Sequence, residues 1–445
     1  MIDLVLLNRI QFAISVFFHY LFVPLTIGLG LFIASFELLY LKTKNEFFQN
    51  IIQYWSKLFK INFAFGIITG FSMTFQFGTN WGFYSEFMGD IFASPLALEA
   101  LIAFFLEATF FGIWISTTKK NQYLKAISMC LVSIGTTISS LWIITANSFM
   151  QNPVGYQLSN DGTRIIMNNF LSILSNPYLW HMLFHTLLAA YSLTSIFIIS
   201  ICSYNILSNK NKNISVHSIK IGIISFFITS LLLMISGMRY GHFIASVQPI
   251  KAASMEAIWE STSYTPMYLF IIPGNNGKNI LQIFGIPYIG SYLLTGHING
   301  TVIGLNSVDI AERPFVPIIF FSFRTMVILC IVFLFQSIFG IFCFIKKNTS
   351  SNIKKIFLKM MYYSLPLPYI ATISGWTVAE VGRQPWIVYG LLKTSEAISL
   401  DISIIHVLFT LIGITLFYIL LGLFYVYLIQ RSIKTFNLEE VKYDN

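Results

Sequence analysis

The stretch "PLALEALIAFFLEATFFGIW", residues 95–114, decides the fold. It is apolar over the roughly 20 residues a helix needs to cross a bilayer, yet it carries two acids, Glu99 and Glu107. A charged side chain near the middle of a membrane helix costs about 2.5–3.5 kcal/mol even on a lenient insertion scale, so such groups face a partner, a cavity or an ion path. On a straight α-helix, Glu107 lies about 12 Å deeper than Glu99 and about 80° further round. Glu99, near the outer start of the span, is able to reach the surface. Glu107 cannot easily do so, which favours a station on a proton path over an internally bonded acid.

The same apolar signature recurs along the chain. With 445 residues, 56% of them hydrophobic and only 10% charged, the sequence reads as an all-α polytopic membrane protein in contact with a lipid bilayer. About nine transmembrane helices are expected, at 11–41, 58–78, 95–117, 126–148, 179–206, 216–238, 316–345, 355–380 and 401–430. The first run is too long for the core of a cleaved signal peptide and has no basic leader. With the N-terminus outside and the C-terminus cytoplasmic, 18 of the 27 basic residues fall on the inner side, among them Lys42, Lys44, Lys119, Lys120, Lys347 and Lys442. Eight fall on the outer side and Arg324 lies within a span, so the positive-inside bias sets the orientation. The net charge of +9 is then a matter of topology and calls for no nucleic acid. The four cysteines lack zinc or disulfide spacing and read as packing residues. Residues 1–445 form a single unit, in which 239–315 is a long external loop rich in Gly and Pro turn signals. The external 149–178 connection has room for a short surface helix.

Once the spans have a direction, the costly residues acquire depths. His19 is about eight residues into span one from the outside, His185 about six into span five, and Arg324 and Met326 eight to ten into span seven; Glu380 ends span eight on its way out. Almost all sit in the outer half of the bilayer. Each has an ordinary alternative. A lone membrane histidine is at least as often a hydrogen-bonded packing residue as a ligand. Met326 alone is core filler, and Glu37, near the inner end of span one, can snorkel to the cytoplasmic surface. Taken as a set, histidines and a methionine on separate spans suit haem iron, whose common axial ligands are imidazole and thioether. No Cys-x-x-Cys-His attachment is present, so any haem is held by ligation and packing.

"GWTVAEVGRQPW", residues 375–386, together with "RIQFAISVFFHYLFVPLTIG", "FQFGTNW", "DIFASPLALEALIAFFLEATF", "ANSFMQNP" and "FRTM", resembles subunit I of the cytochrome bd-type quinol oxidases over nearly the whole chain. The resemblance implies that His185 and Met326 are the axial ligands of a low-spin haem b, and that His19 and Glu380 are those of a high-spin haem b and a haem d, in an order left open. It implies that Arg324 and Arg383 lie near the haems, where guanidinium offsets buried negative charge. Lys251 and Glu256 match the quinol-site pair; without the resemblance they read as solvated surface charge. The loop after Glu260 resembles the family's short version. Also implied are a second subunit of homologous fold, a very small third one, quinol and O2 as substrates, and the bacterial cytoplasmic membrane as location. Cytoplasmic protons would pass Glu107 and Glu99 to the site of O2 reduction.

Two other classes fit the same polar residues. A proton-coupled secondary transporter calls for internal repeats and spans broken at midplane, neither of which is seen in the sequence. A cytochrome b that only passes electrons calls for haem b and no reaction with O2.

Overall fold

The computed structural model describes residues 3–117, 121–274, 277–346 and 350–436. Lys119, Lys120, Lys347 and Lys442, counted above toward the inner face, lie outside them.

Polar residues set the helix starts. Asp3, Asn45, Asn121, Asn176, Ser350 and Ser403 each accept a bond from a backbone N–H of the first turn they precede. The resulting helices are α1 (Leu4–Tyr20), α2 (Val23–Thr43), α3 (Glu46–Thr79), α4 (Gly82–Phe87), α5 (Gly89–Leu98), α6 (Phe105–Ser116), α7 (Gln122–Gln151), α8 (Phe170–Leu174), α9 (Pro177–Leu207), α10 (Lys212–Val247), α11 (Pro249–Glu256), α12 (Ile289–Thr295), α13 (Val316–Phe344), α14 (Ser351–Tyr363), α15 (Leu367–Val381) and α16 (Ile404–Thr435). A π-helical segment, Glu99–Phe104, joins α5 to α6 without a break. Among the described residues, eight helical runs are long and apolar enough to cross a membrane: 4–43, 46–79, 89–116, 122–151, 177–207, 212–247, 310–344 and 404–435. The protein is a multi-pass membrane protein.

The expected ninth span, 355–380, is not one helix. It is the pair α14 and α15, interrupted at Ser364–Pro366. Pro366 and Pro368 have no N–H to donate back up the helix, so the ladder stops and restarts with proline in its first turn. The first span breaks for the same reason at Leu21–Phe22, ahead of Pro24. Asn62 of α3 stitches that break. Its Nδ2 donates to the Phe22 carbonyl at 2.9 Å and to Thr26 Oγ1 at 2.8 Å, and its Oδ1 accepts from Tyr425 of α16. Between helices in lipid, where burial of apolar surface drives little, such bonds contribute about 0.6–2 kcal/mol each.

Counting α1–α2, α5–α6 and α14–α15 as one run each, the connections between membrane-crossing runs fall into two unlike sets, one at each end of the bundle. At the lysine-rich end lie the α2–α3, α6–α7, α9–α10 and α13–α14 connections. The opposite, loop end carries 80–88, 152–176, 248–315 and 382–403. Among the described residues four two-stranded antiparallel pairs occur, all in these loops: β1 (Tyr156–Leu158) with β2 (Ile165–Met167), β3 (Thr262–Ser263) with β6 (Thr301–Val302), β4 (Met267–Ile272) with β5 (Leu281–Ile286), and β7 (Trp386–Val388) with β8 (Leu392–Lys393). α8 is the short helix expected between 149 and 178. The long loop starts at Gln248 rather than 239, because α10 continues to Val247.

The largest apolar cluster, with Trp55, Phe59, Phe63, Ile196 and Phe226, joins α2, α3, α7, α9 and α10. A separate cluster at the loop end packs Trp81, Tyr84, Phe149, Ile173 and Val388. Between α9, α10, α13 and α15, each packed on the next, a closed ring of four helices forms. Facing helices in such rings are where bundles build cofactor sites.

Candidate functional site

His185 and Met326 stand on diagonally opposite members of that ring, α9 and α13. His185 Nδ1 lies 3.0 Å from Ser236 Oγ of α10. The Ser236 hydroxyl also lies 3.2 Å from the Leu233 carbonyl, and with its proton on that carbonyl it accepts from the imidazole, the arrangement that leaves the Nε2 lone pair free. His19, in the last turn of α1, has a comparable hydroxyl partner. Its Nδ1 is 2.9 Å from Thr69 Oγ1, and Thr69 donates to the Phe65 carbonyl. Each ring is thus oriented through Nδ1 by a hydroxyl on a neighbouring helix, as the outer hydrogen bond of a metal-binding histidine orients it.

Three glycines make room for these side chains. A Cβ on Gly70 would come 3.0 Å from His19 Cε1, one on Gly237 3.4 Å from His185 Cε1, and one on Gly375 3.2 Å from Met326 Sδ. α15 is the wall shared by the candidates. It presents Gly375 to Met326, Trp376 to Tyr20 beside His19 (ring centroids 5.4 Å apart), and Glu380 one turn on.

Glu380 anchors a polar network at the loop end. Its Oε1 accepts from Asn147 Nδ2 at 2.8 Å and its Oε2 from Arg383 Nη2 at 2.5 Å. Gln151, one turn after Asn147 on α7, donates to the Ala379 carbonyl and accepts from Lys251 Nζ at 2.6 Å. Lys251 is only 2% exposed, so it is no solvated surface charge, and burial aided by Arg383 pushes its ammonium well below the usual range. Glu256, five residues on, is also buried and pairs with Arg324 Nη2 at 2.5 Å. Burial pushes its carboxyl up to about 7, against the pull of Arg324. Two guanidinium nitrogens, Arg324 Nε and Arg383 Nη1, are buried with no hydrogen-bond partner among the described residues. Unpaired donors on buried cations suit an anionic group such as a haem propionate, which pairs bidentately with arginine.

The acids of the opening stretch lie together on another seam. Ser139 Oγ of α7 donates to Glu99 Oε1 at 2.9 Å. Gly135, one α7 turn away, faces Glu107, whose Oε1 is buried without a partner among the described residues. Both acids thus point at α7, and the 80° offset is corrected by the π-helical segment between them. One π turn takes up an extra residue, which brings the pair to within about 20° of each other. Glu37 differs from expectation too. It does not snorkel but is 3% exposed, with Trp114 Nε1 donating to it at 3.0 Å.

Sequence reasoning passed over Thr69, Ser236, Ser139, Asn147 and Gln151. Only the last two carried a readable signal, as two amides spaced i,i+4 on one helix face.

Imidazoles, a thioether and two arginines that each keep an unbonded buried nitrogen, carried on apolar membrane-spanning helices or at their ends, are side chains of the kinds that hold haem in integral-membrane cytochromes. The model of the family described as "Cytochrome bd terminal oxidase subunit I" matches residues 7–436, and the chain belongs to that family. It is 36% identical over 440 residues to cytochrome bd ubiquinol oxidase subunit 1 of Bacillus subtilis, covering 96% of this chain and 93% of that one. It is 31% identical over 496 residues to cytochrome bd-II ubiquinol oxidase subunit 1 of Escherichia coli, covering 96% of each. Among solved structures, it matches the bd oxidase from Geobacillus thermodenitrificans with a TM-score of 0.88 at 27% identity, covering 97% of this chain and 98% of that one. Membership makes the protein a quinol:O2 oxidoreductase, a haem-bearing subunit I that works with a second subunit.

Proposed function

We propose that this subunit oxidises quinol at the loop end and delivers protons from the lysine-rich end for the reduction of O2 to water. The loop end would face the outside of a bacterial cytoplasmic membrane, as the lysine bias favours. The observation that carries the reading is the matched pair of imidazoles, His19 and His185, each bonded through Nδ1 to a hydroxyl of a neighbouring helix. His185 and Met326 would hold a low-spin haem b, and His19 and Glu380 the two high-spin haems, b and d, with Arg324 and Arg383 against their propionates. When bound, the low-spin haem passes electrons and the high-spin pair offers the open coordination position at which O2 is reduced.

The chain's own residues do the rest. Quinol losing two electrons must shed two protons. Glu256, with Arg324 holding its other oxygen, can take one, and Lys251 can hydrogen-bond the ring oxygen. Because the Glu256 carboxyl sits near 7, it is a competent base only above that pH. kcat/KM for quinol is therefore expected to rise as pH passes upward through about 7, and Glu256→Gln to remove that limb of the profile. A profile identical in the variant would exclude Glu256 as the base. Protons for water formation would travel by Glu107 and Glu99. Bringing one charge across the membrane stores about 2.3 kcal/mol per 100 mV, so uptake from the far side conserves energy without a pump.

The overall test is a reduced-minus-oxidised absorption spectrum of the purified two-subunit complex, with quinol-driven O2 consumption. A far-red chlorin band beside b-type bands is expected. Bands of b type alone would indicate an electron-transfer cytochrome, and no haem bands a transporter. A finer check addresses the imidazole tautomer: Ser236→Ala, by releasing His185 Nδ1, is expected to weaken haem retention about 10- to 100-fold. Haem content per polypeptide on dilution reads it directly, and unchanged retention would dismiss the tautomer argument.

A further inference from the structure

Glu37 has no part in the reading above, yet its setting is that of a working acid. It stands on α2, two turns from the lysine-rich end, buried in the seam where α2 and α6 meet α7. A cation borders its partner: Lys60 Nζ stands 5.4 Å from the ring centre of Trp114. Even so, Glu37 makes no ion pair among the described residues, and its one hydrogen bond comes from a neutral donor, the Trp114 indole. A structural acid this deeply buried is normally neutralised by a paired cation. An acid that must bind and release a proton is better served by a single neutral donor that leaves one oxygen free.

The seam also runs to the right place. Trp114 follows Glu107 by seven residues on the same helix, about 10 Å nearer the lysine-rich end and on the same face. Along α7, Cys130 is within electrostatic reach of Glu37, Ser133 packs against Gly30 of α2, and Gly135 faces Glu107. Below Glu37, Tyr40 OH accepts from Gln122, and Gln122 accepts from Lys44 at 2.6 Å, which extends hydrogen-bonding groups to the exposed end of the bundle. Glu99, Glu107 and, through Trp114, Glu37 thus follow one another toward the lysine-rich end, with Glu107 and Trp114 about 10 Å apart along α6, a gap that two or three waters in file can bridge at ordinary hydrogen-bond lengths.

We propose that Glu37 is the intake acid through which protons from the lysine-rich side reach Glu107. This rests on the reading of Glu107 as a proton station, and the test separates the two. The two-subunit holoenzyme would be placed in vesicles with the lysine-rich face inward and a pH dye in the lumen, and proton uptake followed after an O2 pulse to the reduced enzyme. Wild type would be compared with Glu37→Gln, Glu37→Asp and Glu107→Gln. Expected are an uptake slowed tenfold or more in Glu37→Gln with haem bands and the KM for quinol unchanged, and a substantial recovery in Glu37→Asp. Wild-type uptake in Glu37→Gln beside a blocked Glu107→Gln would overturn the intake role alone. Wild-type uptake in both would overturn the Glu107 route and this inference with it. If Glu37→Gln does not assemble, Glu37→Asp carries the test: haem bands intact with uptake slowed severalfold supports the role, and intact bands with unaltered uptake refutes it. Loss of haem in both variants would mark Glu37 as a purely structural acid.

Discussion

Glu107→Gln is expected to lower quinol-driven O2 consumption about 100-fold while leaving every haem band in place. The substitution keeps the size and polarity of the side chain and removes only its capacity to carry a proton, an effect worth about 10²–10⁴ in proton-transfer steps. Its place in the seam supports the choice of residue. One carboxyl oxygen is buried and unbonded, and the facing residue, Gly135, has no side chain to fill the space beside it. A purely structural acid would be bonded at both oxygens, and its amide would then cost stability rather than turnover. Two measurements discriminate: the spectrum reports the ligands, and O2 uptake reports proton supply. Full O2 consumption in Glu107→Gln would remove the residue from the path. Glu107→Leu should behave alike, since no hydrogen bond to Oε1 is forfeited.

How much of this was legible in the sequence follows from what each feature depends on. Span positions depend on apolar length alone, and eight of the nine expected appear as long apolar helical runs, because lipid forbids unsatisfied backbone and so leaves few alternatives to long helices. Breaks were missed at Leu21–Phe22 and Ser364–Pro366, although Pro24, Pro366 and Pro368 marked them, because apolarity continues unbroken through both. Candidate ligands were legible as residues that are expensive at depth. Their supports were not. Thr69 and Ser236 are common in membrane helices and acquire meaning only when a histidine on another helix meets them. Glu99 and Glu107 were legible as a pair but not as neighbours on one face, since nothing in "EALIAF" announces a π turn. Glu37 misled for a related reason: three residues from Tyr40 and near the helix end, it reads as free to reach water, and only the indole of Trp114, 77 residues away, shows otherwise.

The arrangement of the four-helix ring makes a sharper demand on Met326. Leucine replaces methionine in packed interiors at a cost usually under about 1.5 kcal/mol, because the volumes match. Met326→Leu therefore keeps the contact with Gly375 and the packing of α13 on α15, while removing the sulfur that faces Gly375. If Met326 merely fills the core, the variant is expected to keep its spectrum and its rate. If it is the sixth ligand opposite His185, the low-spin b-type bands should give way to a high-spin spectrum and turnover should fall about 100-fold or more, since electrons from quinol then enter a site of altered potential. Glu256, Lys251 and Arg324 remain in place in the variant, so quinol binding is expected to persist, which an unchanged KM would report. The side chain two residues away supplies an internal control. Arg324 holds Glu256 at 2.5 Å, and a Met326→Leu variant that lost quinol affinity as well would reveal a shifted α13 instead of a missing ligand. Unaltered low-spin bands with normal O2 consumption would return Met326 to the role of filler and leave His185 without its partner.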